Sequence, residues 1–142
     1  MATSERINCW GGWHDAGDHD IYGSHFKIPF MLFATYELNP NGCGDGELSI
    51  PESGNGIPDI LDEARWGVDH WKRLQKSNGG VPEYTTPYPS PSSLDDATAI
   101  YASLPTAPAS LLYAGMAAAM GYFLNRFGKT AEAAEYINSA RL

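Results

Sequence analysis

The sequence is poor in basic residues and in cysteine, and the shortage of basic residues limits the partners that the protein can bind. Nine Lys and Arg stand against 17 Asp and Glu, which gives a formal net charge of −8 over 142 residues. No basic stripe is present to neutralise phosphates, so nucleic acid is not expected as a partner. The two cysteines are Cys9 and Cys43. Their spacing does not decide between a disulfide and two separate thiols.

Long apolar runs and leader-like segments are also missing. The N-terminus has no apolar core of the kind found in signal peptides. The longest apolar stretch, Leu111–Leu124, is interrupted by two glycines and is shorter than the ~20 residues that cross a bilayer. We therefore expect no membrane segment.

Motifs of several enzyme classes are absent as well. The sequence contains neither a Gly-x-Ser-x-Gly nucleophile turn nor a Gly-Lys-Ser/Thr phosphate loop. Six residues with metal-ligating side chains lie close together, namely His14, Asp15, Asp18, His19, Asp20 and His25. Their spacing matches neither a calcium loop nor a His-x-x-x-His helix, so neither a metal nor a cofactor is expected.

The most informative segment is Gly11–Asp18, with the sequence GGWHDAGD. It places Asp15 and Asp18 three positions apart, with only Ala and Gly between them. Small residues permit a tight turn, so the two carboxylates can converge on one water molecule and make it nucleophilic. The same spacing also describes a turn whose last Asp caps a helix, and the motif alone leaves both interpretations open.

Apolar periodicity predicts an all-α chain of about five helices joined by long loops. The first begins between Ser24 and Pro29 and ends before Asn39; the others span Pro58 to about Ser77, Leu94–Leu104, Thr106–Phe127 and Ala131–Arg141. The loop Asn39–Gly56 is either functional or mobile, or else a tolerated surface insertion. In Val81–Ser93 four prolines argue against a helix and against a central strand.

A second motif follows the first at Ile50–Gly67, with the sequence IPESGNGIPDILDEARWG. Together with Gly79–Val81 and the small-residue helix from Thr106, the two motifs resemble glycoside hydrolase family 9. That family consists mostly of cellulases, chiefly endo-β-1,4-glucanases. The resemblance implies that residues 1–142 are the N-terminal portion of a catalytic domain and form part of an (α/α)6 barrel.

The resemblance also implies the roles of individual residues. Asp18 would be the general base of an inverting mechanism, and Asp15 would hold the same water. Trp13, His14 and Tyr84 would bind the substrate, a β-glucan polysaccharide or oligosaccharide, and the enzyme would be secreted. In the family the general acid is a Glu far towards the C-terminus, which these residues do not reach, so we expect this chain alone to be inactive.

Departures from the family pattern keep alternatives open. After Asp18 the family usually continues with an aromatic residue, Gly and Lys, whereas this sequence has His19-Asp20-Ile21. After Val81 the family often has an aromatic residue or His, whereas this sequence has Pro82-Glu83. The specificity could be that of a related β-glycosidase such as an exo-β-glucosaminidase. A non-catalytic carbohydrate-binding remnant and a purely structural helical domain are further alternatives. Leu111–Leu124 would be a wall of a complete barrel, so in this chain it predicts self-association or loose packing.

Overall fold

The computed structural model describes residues 7, 10–15, 21–87 and 99–142. Within these residues the chain forms four α-helices, two 3-10 turns and five short strands. The helices are α1 (Lys27–Leu38), α2 (Asp59–Leu74), α3 (Ala107–Arg126) and α4 (Thr130–Ala140). The strands are β1 (Ile21–Tyr22), β2 (Val81–Pro82), β3 (Tyr84–Pro87), β4 (Ile100–Ala102) and β5 (Pro105–Thr106), and the turns are Gly23–Phe26 and Pro40–Gly42.

The predicted helical class is confirmed, and four of the predicted helices are present close to their predicted bounds. Helix α2 shows why the prediction succeeded. Leu61, Ala64, Val68 and Trp71 are all buried, and their 3/4 spacing places them on one face of the helix. Burying each Leu or Val side chain contributes about 1.5–3 kcal/mol, which exceeds the conformational preference of any single residue in the segment.

The predicted helix Leu94–Leu104 is wrong where the structure describes it, because Ile100–Ala102 forms β4. Residues 94–98 lie outside the described part of the chain. Strand β4 pairs with β3, with Thr85 opposite Ala102 and Thr86 opposite Tyr101. Backbone hydrogen bonds to a strand elsewhere in the sequence therefore override the local helical pattern.

The expectation that no central strand occurs near Val81–Ser93 is also wrong. In the three-stranded antiparallel sheet the order is β1-β3-β4, so β3 lies in the middle. A second, two-stranded sheet pairs β2 with β5. Of the four prolines the structure describes Pro82 and Pro87, which are the last residues of β2 and β3, where a missing N–H interrupts the pairing least.

The helices pack as neighbouring pairs around an aromatic core. Helix α1 packs on α2, and α3 packs most extensively on α4. Phe33 of α1 stacks on Phe123 of α3 with 5.1 Å between ring centroids, and Glu37 contacts Arg126 at 2.7 Å. Gly121 lets α3 approach α4 closely, since a Cβ there would lie 2.8 Å from the Ile137 side chain.

By length and composition alone helix α3 is long and apolar enough to cross a membrane. In the fold, 44% of its most apolar 18 residues are buried. The helix has 20 residues, so it is longer than the stretch on which the sequence prediction rested. Core helices of folded domains pass the same test, and we assign α3 no membrane role. The expected absence of a membrane segment stays a prediction.

The long loop before α2 is folded around two carboxylates. Asp59 accepts hydrogen bonds from the backbone N–H groups of Gly46 (3.1 Å), Glu47 (2.7 Å) and Leu48 (2.5 Å) and from the Ser53 hydroxyl (3.2 Å). The bond from Leu48 is the largest influence on the pKa of Asp59, which lies below its usual value. Asp45 accepts from the N–H groups of Gly54 and Gly56. The loop thus has a structural role in fixing the start of α2.

Candidate active site

The segment that leads into the paired aspartates lies against α2. Trp66 donates its indole N–H to the carbonyl of Gly12 at 2.8 Å, and Gly12 donates its N–H to the carbonyl of Trp66 at 3.3 Å. Arg73 donates to the carbonyl of Trp10 at 3.0 Å. Gly11 and Gly12 have φ of 91° and 73°, a region that favours glycine. The two sequence motifs are therefore hydrogen-bonded to each other.

Trp13 is anchored to the same helix. Its indole N–H donates to Glu63 Oε1 at 2.8 Å. A Cβ at Gly67 would overlap the Trp13 ring, so the lack of a side chain at this position lets the indole pack against α2. Glu63 of α2 therefore helps to orient Trp13. Trp13 is half-buried, and its predicted contact with substrate stays a prediction.

Asp15 stands at the open end of this segment. Its side chain is 58% exposed, and His25 Nε2 lies 4.0 Å from its Oδ1. His25 is mostly buried, and among the described residues its Nδ1 has no hydrogen-bond partner. The Asp15 carboxylate is therefore accessible to water and is flanked by an imidazole. Asp18 lies outside the described residues, so convergence of the two carboxylates on one water stays a prediction.

His14 and Tyr84, the other predicted substrate-binding residues, are both exposed. Tyr84 lies on β3 opposite Tyr22 of β1, with 6.3 Å between the ring centroids. Tyr22 immediately precedes the 3-10 turn that carries His25. Tyr22 is therefore three positions from His25, the residue that lies beside Asp15.

Two features of the site were not predicted from the sequence. From the sequence His25 is a candidate only for metal binding, and no local pattern places it beside Asp15. The second feature is an aromatic contact, in which Trp10 packs 5.5 Å from Trp66 and the Arg73 guanidinium lies 3.1 Å from the Trp10 ring centre. These contacts join residues more than 50 positions apart, which a sequence pattern does not reveal.

Metal-binding side chains are not clustered in the part of the chain that the structure describes: no group of three or more His, Cys, Asp or Glu there could hold an ion. Asp18, His19 and Asp20 fall outside that part, so the expectation of no metal stays a prediction. Cys43 is a free thiol, and Cys9 is outside the described residues.

His70 of α2 lies close to Gly12 and is almost completely buried. Desolvation, with a smaller contribution from the charge of Arg73, lowers the pKa of His70 to about 4. Between pH 6.5 and 4 the His70 imidazole is protonated in the unfolded chain but remains neutral in the folded chain. His70 therefore destabilises the fold as the pH falls through this window, by about 3 kcal/mol in total.

Asp62 acts in the opposite direction. Burial raises its pKa to about 6, so the folded state keeps a proton that the unfolded state loses, and stability falls as the pH rises from 3.8 to 6. The two contributions oppose each other between pH 4 and 6, and His70→Gln removes one of them. We therefore expect the urea-unfolding free energy of the variant to fall relative to that of the native chain as the pH rises from 4 to 6. Parallel curves for the two proteins would contradict this assignment.

Comparison with known proteins places these features in a family context. A family model described as glycosyl hydrolase family 9 matches residues 2–142. A cellulose 1,4-beta-cellobiosidase of Acetivibrio thermocellus is 44% identical over 73 residues, covering 46% of this chain and 8% of that protein. Endoglucanase C of Cellulomonas fimi is 43% identical over 70 residues, covering 45% of this chain and 6% of that protein.

Among solved structures, a metagenome-derived glycoside hydrolase family 9 endoglucanase superimposes with a TM-score of 0.81 and 34% identity. The match covers 92% of this chain and 24% of that one. The matched residues thus span about a quarter of the solved relative and less than a tenth of each of the two curated relatives. The helical arrangement is that of a partial (α/α)6 barrel, as predicted.

Proposed function

Because the chain belongs to glycosyl hydrolase family 9, we propose that it supplies the general-base side of an inverting β-1,4-glucanase active site. The observation that carries the proposal is the placement of Asp15. Its exposed carboxylate lies at the end of a segment that hydrogen bonds fix to α2. Residues 1–142 are on this proposal the N-terminal portion of a catalytic domain.

The proposed reaction is a single displacement at the anomeric carbon. Asp18 takes a proton from the attacking water while Asp15 holds that water in place. The water oxygen bonds to the anomeric carbon as the glycosidic C–O bond breaks on the opposite face. A carboxylic acid ~6.5–9.5 Å from the base protonates the leaving oxygen in enzymes of this kind. We assign no residue of this chain to that role and attribute it to a Glu in the remainder of the barrel.

The substrate side of the proposal rests on the aromatic and imidazole side chains of Trp13, His14 and Tyr84. Trp13 and Tyr84 offer ring faces on which sugar rings can stack, and His14 offers a hydrogen bond to a hydroxyl. The substrate would be a β-1,4-linked glucan or its oligosaccharides. Because such polymers do not enter cells, the same proposal places the protein outside the cell.

The test requires the missing part of the barrel. We define the completed barrel as a chimera in which residues 1–142 replace the matching quarter of the metagenome-derived endoglucanase. The first-formed anomer of a cello-oligosaccharide product, followed by proton NMR, should be α because inversion converts a β bond to an α hydroxyl. A first-formed β anomer would contradict the proposed mechanism. Substrate binding without hydrolysis would instead favour a non-catalytic carbohydrate-binding role.

A further inference from the structure

His25 is held in a fixed position beside the exposed Asp15. It lies on the 3-10 turn Gly23–Phe26, between β1 and α1. The Phe26 ring is 1% exposed and stacks on Trp71 with 4.3 Å between the ring centroids. A buried and stacked ring anchors the turn, because moving it would open a cavity in the core. The backbone of His25 is therefore tied to α2.

The imidazole of His25 and the carboxylate of Asp15 differ in their surroundings. The His25 side chain is 13% exposed, whereas the Asp15 side chain is 58% exposed. A mostly buried imidazole keeps one orientation, since the packed atoms around it block its other rotamers. An exposed side chain exchanges among its rotamers within nanoseconds. The imidazole is thus the fixed member of the pair, and the carboxylate is the mobile one.

The imidazole presents one particular nitrogen to the carboxylate. His25 Nε2 lies 4.0 Å from Asp15 Oδ1, which is longer than a direct hydrogen bond by about 1 Å. A small rotation of the exposed carboxylate closes a gap of this size, and contacts of active-site residues often tighten when substrate binds. The other nitrogen, Nδ1, is buried and points away from Asp15, without a hydrogen-bond partner among the described residues.

These surroundings favour the tautomer of His25 that can donate to Asp15. A neutral imidazole carries its proton on one of its two nitrogens. A proton on Nδ1 would be buried with no acceptor among the described residues, which is unfavourable. A proton on Nε2 faces a carboxylate, and hydrogen bonds to an ionised acceptor are the stronger ones. The favoured tautomer is therefore the one with its proton on Nε2.

We propose that His25 is a positioning residue for the glycosidase reaction, in which its Nε2–H donates to Asp15 Oδ1 and fixes the carboxylate that holds the attacking water. This inference rests on the proposed function, which assigns that water to Asp15 and Asp18. With Oδ1 bound to the imidazole, Oδ2 is left to hold the water in one direction. An unrestrained carboxylate would hold the water in several directions, and a misplaced nucleophile lowers the rate. His25 itself touches neither water nor sugar and acts through Asp15.

The hydrogen bond is tested on the 142-residue chain without reference to hydrolysis. Long-range proton–nitrogen NMR correlations within the imidazole show which nitrogen carries the proton, and the signals lost in His25→Gln assign the ring. Above neutral pH we expect the proton on Nε2, and we expect Asp15→Asn to shift the Nε2 resonance more than the Nδ1 resonance. A proton on Nδ1, or an Nε2 resonance that Asp15→Asn leaves unchanged, would overturn the proposal.

The consequence for catalysis is measured in the completed barrel. His25→Phe keeps a ring of similar size but has no N–H, so we expect kcat to fall at least about tenfold while KM changes little. His25→Gln keeps a donor near the position of Nε2 and should retain most of the native kcat. A purely structural role would give the opposite order, because Phe replaces a mostly buried ring better than Gln does.

A double-mutant cycle separates an effect through Asp15 from an effect on the fold. In the Asp15→Ala background, His25→Phe should lower kcat by less than about twofold, since the group that His25 positions is gone. Equal losses in the two backgrounds, or a native kcat in His25→Phe alone, would contradict the proposal and leave the proposed function intact. A completed barrel that is inactive with native His25 would count against the proposed function, and the NMR result would then decide whether His25 holds Asp15.

Discussion

Asp18→Asn in the completed barrel is expected to lower kcat by at least ~10²-fold while KM changes little. Asn has nearly the shape of Asp, but it cannot accept a proton from water at neutral pH. The substitution therefore leaves sugar binding in place and removes an interaction made only in the transition state. Initial rates on cellopentaose over a range of concentrations separate the two parameters.

Two variants serve as comparisons for Asp18→Asn. Asp15→Asn should also reduce kcat, but less, because Asp15 positions the water and does not take its proton. Glu47→Gln, at an exposed loop carboxylate, should leave both parameters unchanged. An active Asp18→Asn beside an inactive Asp15→Asn would mean that the two roles are reversed. If neither substitution matters, Asp15 and Asp18 belong to a structural turn.

The isolated 142-residue chain is expected to show no measurable hydrolysis of carboxymethylcellulose or cello-oligosaccharides. General-acid assistance to the leaving group is worth ~10²–10⁴ in rate, and this chain is proposed to lack the acid. The larger loss comes from positioning, because a barrel that is only partly present cannot hold the sugar against the attacking water. Reducing-sugar release over long incubations gives the required sensitivity.

The control for this prediction is the completed barrel at the same concentration, which should release reducing sugar readily. Robust turnover by the isolated chain would mean that all catalytic groups are present within these residues. It would overturn both the proposed absence of the general acid and the roles assigned to the two aspartates.

Much of the fold was predictable from local patterns, because the helices are specified within the sequence that forms them. The apolar stripe of α2, with Asp59 and Asp62 in its first turn and Lys72 and Arg73 in its last, defines a helix without reference to the rest of the chain. Strand β4 could not be recognised in this way. Its conformation depends on pairing with β3, which is a contact between separate segments.

The site was predictable in position but not in detail. The GGWHDAGD motif located Asp15, and the structure places that residue in an exposed position beside His25. The hydrogen bonds that join Gly12 and Trp13 to α2 could not be foreseen, since Trp66 and Glu63 lie some 50 positions away. The same holds for the loop before α2, where Asp45 and Asp59 are surrounded by backbone N–H groups that the fold brings together.

The most direct test of the central claim, that Asp18 takes the proton from the attacking water, is azide rescue of Asp18→Asn in the completed barrel. With β-cellobiosyl fluoride as substrate, fluoride leaves with little need for an acid, and azide attacks the anomeric carbon without needing a base. We expect the rate to rise with azide concentration and the product to be the α-azide. Absence of any azide product, or formation of the β-azide, would contradict the assignment of Asp18 as the general base of an inverting site.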